Sequence, residues 1–201
     1  MTGTVSQMLR NGDLITIDEI EIPHGDTEAL CKEFLRRWGH TGGKVTPQGT
    51  IEGGQPLYVY GDAAGNSRTT KTTATDYDII KRELRGAFPR GFALRVPDAN
   101  PPVKDRVNSV NAKLKNGLGV ASWWIAPRCK GLIKDLSRVR WRDGTTELDK
   151  KSDPTLTHLS DGIGYLIHWE FPIKPKADYT SGAISSGPRL SSGGHGYDYD
   201  S

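Results

Sequence analysis

The sequence has little of what announces most chemistries. Its 201 residues carry two cysteines, Cys31 and Cys129, far apart and without CxxC spacing. That excludes a zinc ribbon and a disulfide scaffold and fits a reduced, intracellular setting. No run approaches the ~18 apolar residues of a membrane span. Residues 1–10 contain no apolar h-region, so neither a membrane partner nor a secretory leader is expected. No pair of histidines has zinc spacing. No nucleophile elbow offers a Ser-His-Asp hydrolase. Gly39-His40-Thr41-Gly42-Gly43-Lys44 invites a P-loop reading and fails it, because the glycine spacing is one short and Val45 stands where Ser or Thr must bind the metal. The chain is therefore not expected to be an ATPase on its own.

What is present is a polar, soluble composition: 35% hydrophobic, 25% charged, 24 glycines, and a net charge of only +3. The charge is unevenly placed. Between Arg68 and Lys151, basic residues outnumber acidic ones by roughly two to one. This permits a polyanion partner, and equally a solvated basic surface.

Hydrophobic period and turn chemistry set out the elements. Asn11-Gly12 before a β-branched run at 14–20 reads as a hairpin whose two central residues both need positive φ. Asp26 caps a helix carrying Leu30, Phe34 and Trp38. The Gly-rich stretch after Gly39 reads as loop. Residues 57–60, Leu-Tyr-Val-Tyr, read as a central strand covered on both faces. Thr75 and Asp78 form a capping box for the next helix. A strand at 92–96 follows, then a helix behind Pro101-Pro102 with a stripe from Val103 to Leu118. An aromatic strand lies at 122–126 and a helix at 132–139. Residues 141–151 look hairpin-like around Asp143-Gly144. Asp153-Pro154 opens a last helix carrying Leu159, Ile163, Ile167 and Trp169. This alternation after a meander means an α/β layered, mixed sheet flanked by helices. Residues 1–173 form one domain; residues 174–201, dominated by Gly, Ser and Pro, read as a disordered tail.

Two acids stand out. Asp62 follows a strand, where α/β folds present ligands. Its neighbours Gly61, Ala63, Ala64 and Gly65 are small, leaving room for a phosphate or metal. Asp161 sits in a helix where His158, Asp161 and Tyr165 share a face and Gly162 and Gly164 cost about 1 kcal/mol each. Two such carboxylates could hold a hard divalent cation, and a metal pair can clamp both oxygens of a phosphodiester in transfer. A capping Asp and a polar helix face are the plainer readings.

Residues 59–66 with Asp76-Tyr77, the run Asn100-Pro101-Pro102-Val103-Lys104-Asp105-Arg106-Val107-Asn108, Asp149-Lys150, and the helix 157–166 resemble, in matching order from about Leu14 to Pro172, the nuclease domain of tailed-phage terminase large subunits. The resemblance implies an RNase H-like fold and a metal-dependent endonuclease that cuts concatemeric DNA during packaging, using two Mg²⁺ or Mn²⁺ ions. It implies Asp62 and Asp161 as metal ligands and catalytic residues, with His158 one turn before Asp161. Gly162 stands where the family usually has Ala. The family's first acid, on its first strand, has no counterpart here, so that strand is expected to be missing and the lone chain to cut poorly or not at all. Asp18 and Glu19, on opposite faces of one strand, are the candidate substitutes. Arg68, Lys71, Lys104 and Arg106 are the candidate phosphate contacts. Double-stranded DNA, the terminase ATPase domain or chain, the terminase small subunit and the portal protein are the implied partners, in the host cytoplasm. The alternative is a non-catalytic RNase H-like fragment that docks DNA, portal or a partner chain.

Overall fold

The computed structural model describes residues 1–67, 74–145, 148–149 and 156–173. The expected tail at 174–201 therefore lies outside the described residues. Strands β1 (Thr2–Met8) and β2 (Leu14–Glu21) form the opening hairpin. Its turn differs from expectation. Only Gly12 has positive φ, at 84°, while Gly12 N–H donates to Leu9 O and Leu9 N–H donates to Asp13 O. A tight turn with one left-handed glycine thus replaces the two-residue turn.

Helix α1 (Thr27–Trp38) starts where Asp26 accepts the N–H of Ala29 at 2.8 Å. The Gly-rich stretch expected as loop contains a 3-10 turn and a small hairpin, β3 (Lys44–Val45) with β4 (Ile51–Glu52). Then follow β5 (Leu57–Tyr60), α2 (Asp76–Leu84) with the full Thr75–Asp78 capping box, and β6 (Phe92–Arg95). Helix α3 (Val103–Leu114) ends one turn before Leu118, which is 89% exposed in the following loop rather than in the stripe. Strand β7 (Trp123–Ile125), α4 (Lys130–Arg138) and α5 (His158–Glu170) complete the order. An isolated bridge between Trp141 and Leu148 supports the hairpin-like reading there.

The architecture is α/β with mixed strand pairing. β1 runs antiparallel to β2, and β2 parallel to β7. β5 and β6 form a separate parallel pair, and no ladder joins β1 to β5. β5 is therefore an edge and not a doubly covered centre; Tyr58 on it is 42% exposed. Helix α5 packs on both β1 and β5 and so spans the two half-sheets.

A bulge between the hairpin strands, where the register jumps from Val5–Asp18 to Ser6–Thr16, leaves Ile17 without an opposite residue. The extra residue changes the phase of the strand. Before it, Leu14 enters the core with Val110, Trp123, Cys129, Leu132, Leu159, Ile163 and Ile167. After it, Asp18 faces α1 and Glu19 faces α4. Among the described residues no helix is long and apolar enough to cross a membrane.

Candidate functional site

Asp62 sits two residues beyond the end of β5, half-buried. Its turn is fixed from three sides. Its own Oδ1 accepts the Gly65 N–H at 3.0 Å, capping a 3-10 turn. Its carbonyl accepts the Tyr77 hydroxyl at 2.7 Å, and the next N–H, of Ala63, donates to Asn100 Oδ1 at 2.7 Å. The small residues around Asp62 have a physical reason other than ligand access. A Cβ on Gly61 would lie 2.3 Å from Tyr77 Oη, and one on Gly65 only 2.7 Å from the Tyr77 ring. The glycines make room for Tyr77, which α2 delivers through its capping box.

Asp161 lies in the first turn of α5, a helix whose start is built by a relay of carboxylates. Glu19 of β2 accepts the N–H groups of Gly131 and Leu132, each at 2.8 Å, and so caps α4. The buried Asp135 of α4 in turn accepts the N–H groups of Leu159 and Ser160, at 3.1 and 3.2 Å, and caps α5. A carboxylate at a helix N-terminus satisfies otherwise idle donors and meets the positive end of the dipole. Thr157, just before α5, is held at φ 84° and makes no side-chain cap of its own. Asp135 does that work from outside the segment, a long-range contact with no local sequence signal.

Asp161 Oδ1 lies 3.2 Å from Nη2 of Arg106, whose guanidinium stands 4.2 Å from the centroid of the Tyr165 ring. Both acids act electrostatically on Tyr165. Burial raises its phenol above the ordinary value; the Arg106 charge lowers it, and the charges of both Asp62 and Asp161 raise it again. Burial, followed by the Asp62 charge, likewise pushes the Tyr77 hydroxyl up. The charges of Asp62 and Asp161, ninety-nine residues apart, thus both act on Tyr165 of α5, the helix that packs on β5.

The other candidates are placed differently. His158 is exposed in the first turn of α5, and its side chain has no hydrogen bond among the described residues. Arg106, expected as a surface phosphate contact, is 6% exposed and turned inward onto Asp161. Lys104, two residues earlier on the same helix, is exposed. Arg68 and Lys71 lie outside the described residues. Asp18 and Glu19 do occupy opposite faces, but both are committed. Asp18 accepts the Trp38 indole N–H at 2.9 Å and pairs with Arg37 at 3.3 Å. Glu19 caps α4.

The described residues do not fit a pair of divalent ions. Among the described residues no group of three His, Cys, Asp or Glu side chains could hold a metal ion. Of the two acids, Asp161 is already paired with a buried guanidinium. The structure offers a half-buried carboxylate just past β5 and an ion-paired one in the first turn of α5. The chain matches no protein-family model, no curated protein and no solved structure.

Proposed function

We propose that this chain is an RNase H-like module of a phage DNA-packaging terminase that engages double-stranded DNA at the Asp62–Asp161 end and does not complete two-metal cleavage with its own residues. The observations that carry the reading are the Asp62 turn fixed at the end of β5 and the ion-paired Asp161 on α5, the helix that packs on β5. The sequence resemblance supplies the substrate class and the partners: the packaging ATPase, the small subunit and the portal, in the host cytoplasm. The Mg²⁺ or Mn²⁺ pair belongs to the complete site of that family. The Arg106–Asp161 ion pair favours the non-catalytic form of the reading, because it spends one of two available ligands on a structural contact.

The test joins binding to cleavage on the intact chain. Mobility shifts with duplexes of several sequences should weaken steeply with salt and vary little with sequence, as phosphate contacts demand. A plasmid-nicking assay with Mn²⁺ should show no cutting. Nicking that Asp62→Asn abolishes would establish a complete nuclease instead. Salt-insensitive or strongly sequence-selective binding would remove the DNA reading itself.

A further inference from the structure

Arg106 is buried, yet just one of its guanidinium nitrogens has a partner among the described residues. Nη2 reaches Asp161 Oδ1 at 3.2 Å, while Nε and Nη1 are shut from solvent with no acceptor. The plane of the cation is closed by the Tyr165 ring. Its stem is held by close approach of the helices: a Cβ on Gly164 of α5 would touch Arg106 Cδ at 3.7 Å. A guanidinium does not lose its proton in a protein. A full positive charge therefore stands permanently against Asp161.

We propose that Arg106 is a fixed counter-ion, filling at Asp161 the charge position that a divalent cation would need, so that the folded site excludes cations from this carboxylate. The proposal rests on the reading of the Asp62–Asp161 end as the functional site, but its test does not use DNA. Two physical arguments support it. A divalent ion at oxygen-ligand distance, roughly 2.0–2.6 Å from Asp161, would stand within a few ångströms of the guanidinium, in a medium that screens like charges poorly. Asp161 also lies in the first turn of α5, where the positive end of the helix dipole already favours the carboxylate and disfavours a cation beside it. The two idle donors on Arg106 make the Asp161 contact harder to give up, since losing it would leave the whole guanidinium buried and unpaired.

Mn²⁺ binding followed by electron paramagnetic resonance reads the site directly. Wild type should show no occupancy that depends on Asp161. R106Q should bind Mn²⁺ at least about tenfold tighter, each tenfold being ~1.4 kcal/mol, and R106Q/D161N should lose that gain. Thermal melting gives a second reading that needs no Arg106 variant. Asp161→Asn should lower Tm by at least several degrees, because it strips the guanidinium of its carboxylate. Asp62→Asn, whose amide oxygen still caps the Gly65 turn, should leave Tm within about 2 °C. If R106Q does not fold, wild type and D161N decide the matter alone. Mn²⁺ bound by wild type and lost in D161N overturns the proposal. So does an R106Q protein that folds and binds no more tightly, or a D161N protein that melts like wild type. A failure to bind or cut DNA would count against the terminase reading and leave these outcomes as they are.

Discussion

Adjacent residues of one strand can carry the same charge and hold different helices, as Asp18 and Glu19 do on either side of β2. Burial raises the Asp18 carboxyl, but hydrogen bonds from Trp38 and Arg37, together with the Arg37 charge, outweigh it and leave the group below its ordinary value of 3.8. A carboxylate depressed in the folded state adds stability that is fully present above its unfolded pKa and is lost as pH falls through the lowered folded value. The clasp of α1 onto β2 should therefore loosen in acid, below about pH 4, and not at neutral pH. Melting across roughly pH 2–7 should show wild type losing its advantage over Asp18→Asn in that acid window, with the two curves converging there. Parallel curves would mean that Asp18 contributes nothing through its charge. The sequence placed the two acids on opposite faces correctly. It could not show that each was already spent, because their partners lie 19–20 and 112–113 residues away.

At the scale of elements, glycines of similar appearance should respond to alanine with opposite signs. Gly65 supports the turn that carries Asp62, and a Cβ there meets the Tyr77 ring at 2.7–2.9 Å. Gly65→Ala should cost about 1–3 kcal/mol through that overlap. Gly162 is exposed inside α5 with nothing within 4 Å of its would-be Cβ. Gly162→Ala should stabilise the protein by about 0.5–1 kcal/mol, the ordinary helix gain. Urea titrations of both variants check the pair, and a stabilised Gly65→Ala would mean that Tyr77 does not pack as described. Local chemistry made most elements legible. The Thr75–Asp78 box, the Asp26 cap and the β-branched run of β2 are each decided within a few residues. The exceptions were non-local. Leu57–Tyr60 reads as a covered central strand from its own residues, yet its edge position depends on whether a distant strand pairs with it. The inward turn of Arg106 depends on Asp161, fifty-five positions away. The last helix begins at His158, where Asp135 of another element supplies the cap.

Helix α5 lies across two half-sheets, β1–β2–β7 and β5–β6, and the core is not shared evenly between them. The buried apolar cluster draws on β2, β7, α3, α4 and α5, while no residue of β5 or β6 is fully buried. Asp161 therefore rides on the densely packed half and Asp62 on the sparse one. What joins β5–β6 to α5 is a polar clasp. The Tyr60 hydroxyl donates to Glu170 Oε1 at 2.6 Å, and Arg95 pairs with the same carboxylate and with Tyr60, while stacking 3.8 Å over Tyr58. Regions with fewer buried contacts open at lower free energy than the global core. Amides in Leu57–Tyr60 and Phe92–Arg95 should therefore exchange hydrogen faster than those of α4 and α5. Glu170 is the one carboxylate on which both Tyr60 and Arg95 converge. Glu170→Gln keeps an acceptor but removes the charge that holds Arg95, at a cost of roughly 1–3 kcal/mol for a charged hydrogen bond in a partly buried site. If the clasp is what docks the sparse half, the variant should speed exchange in β5 and β6 by about tenfold or more, since ~1.4 kcal/mol of opening free energy is a factor of ten, and leave Lys130–Arg138 unchanged. Exchange that rises equally in α4 would mean that the two halves open as one unit. In that case the spacing of Asp62 and Asp161 would be set by the global fold and not by Glu170.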